Sequence, residues 1–450
     1  MRKGWYIIVG VLLLALALRL YQLDGQSLWF DEGYAVYEAK QEGLGGVMGA
    51  TLEKSEGTPP LYFFMLHYWI KLFDDGLFAM RLLSAIFSAL AVGVLFLFAR
   101  EVAGRKVAFL SSLMMALSMT HLVYAQEIRP YALLSLMVLL SSYFYVRLLK
   151  TRKGAGYISA TTLMLYTHYL GFFVFLVQVL YALWRKKLRP LPYQLSAGLL
   201  SIPSLVIFIK QLSFNQAEFQ SALTVKLGLP AYLGQLGLVL FVMPFAGLVV
   251  LGWYLWKKRI TKIKDSWFFV GCILIMAAYL LLLPRLMSSV FLTRYSHFLF
   301  PFAYVVFAYL FLRMKKPMLK KALAVVYIAL VVVTLASYYL ADDRKEQWTE
   351  AVGLVEGELQ DNDIVVLIDS DSRFIWEYYQ QKEYTVLPIR GKLGEDHSRH
   401  IQLLKQHEGR IWFVFSHGYV AQPLYEEELG RVRQKEFSKE FNGIEIVRYS

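Results

Sequence analysis

For its first three quarters the chain alternates long apolar runs with short basic clusters. A helix needs about 20 apolar residues to cross a bilayer. Read in order, the runs predict spans at residues 5–23, 80–98, 107–123 and 131–149. Residues 157–184 hold a pair of spans turning at Thr167-His168-Tyr169-Leu170-Gly171, and further spans fall at 193–212, 229–256, 267–283, 295–312 and 322–340. Between them lie six basic clusters: Arg2/Lys3; Arg100/Arg105/Lys106; Arg147/Lys150/Arg152/Lys153; Arg185/Lys186/Lys187/Arg189; Lys257/Lys258/Arg259/Lys262/Lys264; and Arg313/Lys315/Lys316/Lys320/Lys321. Lys and Arg gather in the cytoplasmic loops of membrane proteins. Putting all six clusters inside predicts about eleven transmembrane helices, a cytoplasmic amino terminus and an extracytoplasmic carboxyl-terminal part. The first run follows Arg2 and Lys3 as a secretory signal would, but its Ala-Leu-Ala end is a poor cleavage site, and it reads as a retained anchor.

Residues 59–73 are apolar enough to suggest another crossing, but accepting it would invert most later clusters. They are expected instead to form an amphipathic juxtamembrane helix on the outer face, opened by Pro59-Pro60. The first outer loop then covers residues 24–79 and carries nine of the thirteen acids found before residue 342. A loop of that length is more often functional than idle.

Beyond residue 340 the periodicity changes. Helices are expected at 346–359, 373–381 and 398–407, and strands at 364–368, 384–388 and 411–415. Asn442-Gly443 marks a closing hairpin between 439–441 and 444–449. Alternating strands and helices predict a small α/β domain with a mainly parallel sheet. The fold class is thus an α-helical polytopic membrane protein with a small C-terminal α/β extracytoplasmic domain. Its two parts are a transmembrane domain at 1–340 and the extracytoplasmic domain at 341–450.

Composition agrees, since 57% hydrophobic and 16% aromatic residues are too many for a soluble chain of 450. The net charge of +13 does not indicate nucleic acid, because the basic residues lie between apolar runs. Residues 342–450 hold 14 Lys and Arg against 21 Asp and Glu, leaving 33 against 13 before them. The single cysteine, Cys272, excludes a disulfide within the chain. No H-E-x-x-H or C-x-x-C pattern indicates a dedicated metal site, so no metal and no cofactor are expected. The strand at 364–368 is followed by no glycine-rich phosphate loop.

Candidate chemistry collects on the outer side. In Leu28-Trp29-Phe30-Asp31-Glu32-Gly33-Tyr34, two adjacent carboxylates stand where a membrane span meets water. Partial desolvation there suits a carboxylate for proton abstraction, although an acid pair that merely ends a helix is the plainer reading. Glu127 and Arg129, in Tyr124-Ala125-Gln126-Glu127-Ile128-Arg129-Pro130-Tyr131, are the only Asp, Glu, Lys or Arg between Lys106 and Arg147. Charges at such depth are costly and usually line a site, or else form a structural pair that fixes the turn. His168 lies at the next outer turn, where a structural histidine is the simpler reading. Arg285 and Arg294, the latter beside Tyr295, suit a phosphate because the planar guanidinium donates two hydrogen bonds. Lipid head-group contact is an equal reading for Arg285. Tyr62, His67, Tyr68 and Trp69 read first as interfacial anchors, while Lys54 falls nearer the mouth of a substrate cavity. Asp31, Glu127, Arg129 and Arg294 are expected to share one outward-facing pocket.

The motif from Trp29 to Tyr34, followed by Thr58-Pro59-Pro60-Leu61-Tyr62 and Arg81-Leu82-Leu83-Ser84, resembles the polytopic GT-C glycosyltransferases. The closest group is glycosyltransferase family 39 and the RgtA/B/C/D-like proteins, relatives of protein O-mannosyltransferases and lipid A aminoarabinose transferases. The segment 124–133 and the Arg294-Tyr295 pair look like the same group. The resemblance is best over residues 1–175. It implies transfer of a sugar from a polyprenyl-phosphate donor to a lipid, glycan or protein acceptor at the outer face of the cell membrane, with inversion and without a metal. Asp31 would match the family's general base and Glu32 would support it or orient the acceptor. Arg129, Arg294 and His168 would neutralise the leaving phosphate, with Glu127, Lys54, Tyr62, Arg285 and Tyr295 lining the cavity. The aminoarabinose transferases carry lysine directly before Pro-Pro, where this chain has Thr58, so that specificity is not carried over. Two rival classes share the scaffold. A transporter or flippase of lipid-linked sugars commonly shows an internal repeat, which is not visible here. Such a transporter would also not need an adjacent acid pair so near the first helix. The other rival is an enzymatically inactive scaffold whose outer domain binds a partner.

Overall fold

The computed structural model describes residues 5–54, 58–151, 153–214, 296–341, 344–368, 370–389, 395–416 and 422–450. The expected spans at 229–256 and 267–283 lie outside the described residues. In chain order the helices are α1 (Trp5–Leu20), α2 (Phe30–Ala39), α3 (Gly43–Lys54), α4 (Leu61–Leu72), α5 (Leu77–Ala103), α6 (Arg105–Ala116), α7 (Met119–Val123), α8 (Tyr131–Thr151), α9 (Ala155–Thr167), α10 (Gly171–Trp184), α11 (Leu191–Leu200) and α12 (Ile202–Phe214). After a 3-10 turn (His297–Leu299) come α13 (Phe300–Arg313) and α14 (Pro317–Tyr339). The chain closes with α15 (Trp348–Glu358), β1 (Ile364–Ile368), a 3-10 turn (Ser370–Ser372), α16 (Arg373–Tyr379), β2 (Thr385–Ile389), α17 (Glu395–Gln406), β3 (Ile411–Ser416), α18 (Gln422–Gly430), β4 (Lys435–Phe441) and β5 (Ile444–Tyr449). These residues form two compact units, one of Met1–Tyr21 with Gln41–Ser337, the other of Gln22–Lys40 with Tyr338–Ser450.

In the first unit α5 packs against α1, α6 and α8, and α8 against α9. Among the described residues three helices, α5, α8 and α14, are long and apolar enough to cross a membrane, and the bent pair α11–α12 would be a fourth. Shorter apolar helices occur at Tyr6–Leu20, Gly171–Trp184 and His297–Arg313. The expected turn at 167–171 separates α9 from α10. The run at 107–123, expected as one span, is instead broken at Leu117-Ser118. Arg19, fully buried, donates from Nη1 to the Ala116 carbonyl at 3.3 Å, and Tyr304 Oη hydrogen-bonds Ser118 Oγ at 2.8 Å, so side chains from other helices take up polar groups at the break. The run at 193–212 bends by 45° between α11 and α12. Pro203, at the second position of α12, has no amide hydrogen with which to continue the helical hydrogen bonding across the bend.

The second unit is built on a five-stranded sheet in the order β2-β1-β3-β5-β4. β1 is parallel to β2 and β3, whereas β5 is antiparallel to β3 and β4. The sheet is therefore mixed rather than mainly parallel. The antiparallel half comes from β5: Asn442-Gly443, with Gly443 at φ +74°, makes a two-residue hairpin that sets β4 and β5 antiparallel, and β5 docks antiparallel on β3. β3 is buried along its whole length, as a central strand should be, and β4 is an exposed edge carrying Lys435, Glu436, Lys439 and Glu440. Val366, Ile368, Phe413, Phe415, Tyr425, Leu429 and Val447 form a core within this unit, and Trp348, Trp376 and Trp412 are buried in it as well.

Loop residues 24–79, expected to hold one helix, contain three and the start of a fourth: α2, α3, α4 and the first turn of α5. α4 (Leu61–Leu72) lies within the helix expected at 59–73. Tyr62 and His67, expected as interfacial anchors, are buried at 0% and 3% exposure, whereas Tyr68 is exposed. Trp69 Nε1 donates to the Ala79 carbonyl at 2.7 Å, which ties α4 to the start of α5.

Candidate functional site

Two groups of candidate residues stand out, one in each unit. In the first unit the turn between α7 and α8 holds Glu127 and Arg129, both buried. Gln126 anchors that turn by donating from Nε2 to the carbonyls of Arg19 and Tyr21, at 3.0 and 2.8 Å. Tyr62 Oη and Ser84 Oγ are 2.9 Å apart, and Ser84 Oγ reaches the Arg129 carbonyl at 3.5 Å. The Thr58–Tyr62 and Arg81–Ser84 motifs thus meet the Arg129 turn through one hydrogen-bonded chain. The Arg129 guanidinium lies 5.8 Å over the Tyr131 ring, within range of a cation–π attraction.

His168 caps the end of α9, where its Nδ1 accepts the Leu170 amide hydrogen at 3.2 Å, and its ring is 6.0 Å from that of Tyr131. The same tyrosine receives a residue that was not among the candidates. His297 Nε2 is 2.9 Å from the Tyr131 carbonyl, and its ring lies 4.6 Å from Tyr124 and 5.9 Å from His121. His297 stands two places after Tyr295, so extending the Arg294-Tyr295 motif by one turn would have found it. A buried guanidinium with imidazoles and tyrosines around it is chemistry suited to an anion, since its donors are fixed before the ligand arrives.

In the second unit Asp31 and Glu32 occupy the first turn of α2, 5% and 0% exposed. Glu32 Oε2 accepts the Trp29 amide hydrogen at 3.3 Å, which closes the start of the helix as in a capping box. The same oxygen takes a hydrogen bond from Lys345 Nζ at 2.9 Å. Gly33 faces Ile375 so closely that a side chain on it would overlap Ile375 Cγ1. Tyr34 Oη donates to Asp371 Oδ2, and Tyr37 stacks on Phe374 with ring centroids 4.0 Å apart.

Lys54 ends α3. Arg285, Arg294 and Tyr295 lie outside the described residues. His397 and His400 share α17 at a spacing of three, but the His397 ring turns to Tyr425, with Nδ1 2.8 Å from its hydroxyl. Among the described residues no group of three or more His, Cys, Asp or Glu side chains could hold a metal ion.

This fold is similar to the GT-C membrane fold, and the resemblance seen in the first-loop motifs is matched by comparison with known proteins. Residues 57–213 match the protein-family model described as dolichyl-phosphate-mannose-protein mannosyltransferase. By sequence alone no curated protein matches the chain. Among solved structures, ArnT from Cupriavidus metallidurans bound to undecaprenyl phosphate is similar over 100% of this chain and 98% of that one, with TM-score 0.65 and 13% identity. The oligosaccharyltransferase of Archaeoglobus fulgidus in its apo form is similar over 92% of this chain and 70% of that one, with TM-score 0.55 and 11% identity.

Proposed function

We propose that this chain is a membrane glycosyltransferase that moves a sugar from a polyprenyl-phosphate donor to an acceptor hydroxyl at the outer face of the cell membrane. The observation that supports this most is the likeness, along the full chain, to a protein solved with undecaprenyl phosphate bound. The family match over 57–213 points the same way, because it contains the Arg129 turn and His168. In this reading about eleven helices span the membrane, the amino terminus is cytoplasmic and the carboxyl-terminal domain lies outside. A lipid-linked donor suits a site at the bilayer edge: the prenyl tail stays in hydrocarbon while the phosphate reaches water.

The chemistry follows from the residue types. Asp31 takes the proton of the acceptor hydroxyl as its oxygen attacks the anomeric carbon from the face opposite the phosphate. The new C–O bond forms as the bond to the phosphate oxygen breaks, and the configuration inverts. The bonding pair leaves with the polyprenyl phosphate, whose charge is neutralised by Arg129 and His168 and by Arg294, the residue that the sequence motif assigns to that role. The sequence motifs assign Glu127, Lys54, Tyr62, Arg285 and Tyr295 to the substrate cavity. Glu32 supports Asp31 by holding the start of α2.

Asp31→Asn keeps the size of the side chain and removes the base. In the full-length protein reconstituted with a panel of polyprenyl-phosphate sugars and candidate acceptors, transfer should fall by about 10²–10⁴-fold, with thermal stability unchanged. Near-normal turnover of that variant would overturn the assignment.

A further inference from the structure

We propose that the carboxyl-terminal unit is the mount of the catalytic helix, with Lys345 and the Tyr34–Asp371 pair as the residues that position Asp31. This rests on the glycosyl-transfer reading above and extends it to Lys345 and Asp371, which lie far from Asp31 in sequence.

The need for a mount follows from α2 itself. It has ten residues and a glycine in its fourth position. Isolated helices shorter than about 12–15 residues are marginal in water, so α2 takes its stability from what it packs against. Its partners within the second unit come from the segments before and after β1. Leading into the helix, Ser27 Oγ is 2.8 Å from Thr349 Oγ1, and the Gln26 side-chain carbonyl accepts the Arg344 amide hydrogen at 3.0 Å. The Leu28 amide donates to Tyr379 Oη at 2.7 Å. In the first turn Lys345 pairs with Glu32, one turn on Tyr34 bonds Asp371, and further along Tyr37 stacks on Phe374.

Glu32 is the decisive contact. Its side chain is 0% exposed and that of Lys345 14%, so the pair is largely out of water. Removing one partner of a buried pair leaves an uncompensated charge and is far more damaging than losing a surface pair. Glu32 also accepts the Trp29 amide, so the ion pair and the first turn of the helix stand or fall together. Asp31 is the neighbouring residue in that turn. A general base must come within about 2.6–3.2 Å of the proton it takes, and a 1 Å misplacement can cost about 10²-fold in rate. The lysine therefore acts on catalysis through Glu32 and the backbone of Asp31, without touching substrate.

The test compares Lys345→Met, Lys345→Arg and Tyr34→Phe in the reconstituted full-length protein. Lys345→Met should lower kcat by about 30–100-fold while the KM for donor stays within about threefold. Lys345→Arg keeps the charge and should restore most of the loss, which a defect of packing alone would not allow. Tyr34→Phe removes one hydroxyl, keeps the fold, and should lower kcat by about three- to tenfold. Amide hydrogen exchange over residues 30–39 should quicken in Lys345→Met. If the wild type transfers sugar and Asp31→Asn does not, yet Lys345→Met keeps its kcat within twofold or its exchange unchanged, the mount is wrong and the transferase reading stands. A wild type that transfers nothing from any donor would overturn both.

Discussion

Gly33 allows the packing of α2 to be measured at a single position. A glycine inside a helix costs about 1 kcal/mol relative to alanine, so Gly33→Ala would stabilise a solvated helix. Here the added methyl would overlap Ile375 Cγ1 and stand 3.1 Å from its Cδ1. Ile375 is fully buried in α16, so it has little room to withdraw. Overpacking by one methyl costs about 1–3 kcal/mol. Set against the propensity gain, the net loss is about 0–2 kcal/mol. Ile375→Ala alone opens a cavity and should cost about 2–5 kcal/mol. In the double variant the methyl added at position 33 enters space that the isoleucine has vacated, so the pair should cost about 1–3 kcal/mol less than the two single losses together. The assay is amide hydrogen exchange of residues 30–39 in the full-length protein in detergent micelles, read as a local opening free energy. Two results would refute the reasoning: protection that rises in Gly33→Ala alone, or single effects that add to within about 0.5 kcal/mol in the double variant.

Two further outcomes are expected. Burial pushes the Asp363 carboxyl up, but hydrogen bonds from Arg410, the Gln360 amide and the Trp412 indole outweigh it and hold the group below its ordinary value. A depressed carboxyl contributes stability above its unfolded value of about 3.9 and loses it as pH falls through the folded value. The carboxyl-terminal unit should therefore weaken below about pH 4, and Asp363→Asn, which costs about 1–3 kcal/mol at neutral pH, should flatten that acid limb in thermal unfolding. At the anion cluster, Arg129→Ala should lower kcat by about 10²-fold. Arg129→Lys should recover less than tenfold of it, because an ammonium cannot reproduce the fork of a guanidinium. Equal activity of wild type and Arg129→Ala would remove the phosphate role.

Features governed by local pattern were legible in the sequence. Hydropathy located α5 and α8, glycine and histidine marked the turn between α9 and α10, and Asn442-Gly443 placed the closing hairpin within a strand length. The misses have a common cause, a partner remote in sequence. The run at 107–123 is apolar enough for one helix, and its break involves Arg19 and Tyr304, neither of which hydropathy can connect to it. α2 was hidden for the same reason, since an acid pair, a glycine and three aromatics in ten residues read as a loop until Ile375 and Phe374 are there to cover them. The mixed sheet also escaped alternation arguments, because strand order depends on where β5 docks and not on its own composition.

The two adjacent acids show why a motif alone cannot assign roles. Successive residues on a helix point about 100° apart, so Asp31 and Glu32 leave α2 in different directions. In the reading proposed above Glu32 is the structural one, because it takes hydrogen bonds from Lys345 and from the Trp29 amide. Both bonds fall on Oε2, so that oxygen of a fully buried carboxylate is engaged by the fold. That reading puts the base at Asp31, and Glu32→Gln separates the two assignments. Glutamine can still accept the Trp29 amide but cannot neutralise Lys345, so its effect should resemble that of Lys345→Met, a loss in kcat of about 30–100-fold, and not the deeper loss of Asp31→Asn. A Glu32→Gln variant as inactive as Asp31→Asn, with exchange over residues 30–39 unchanged, would instead make Glu32 a member of the chemistry.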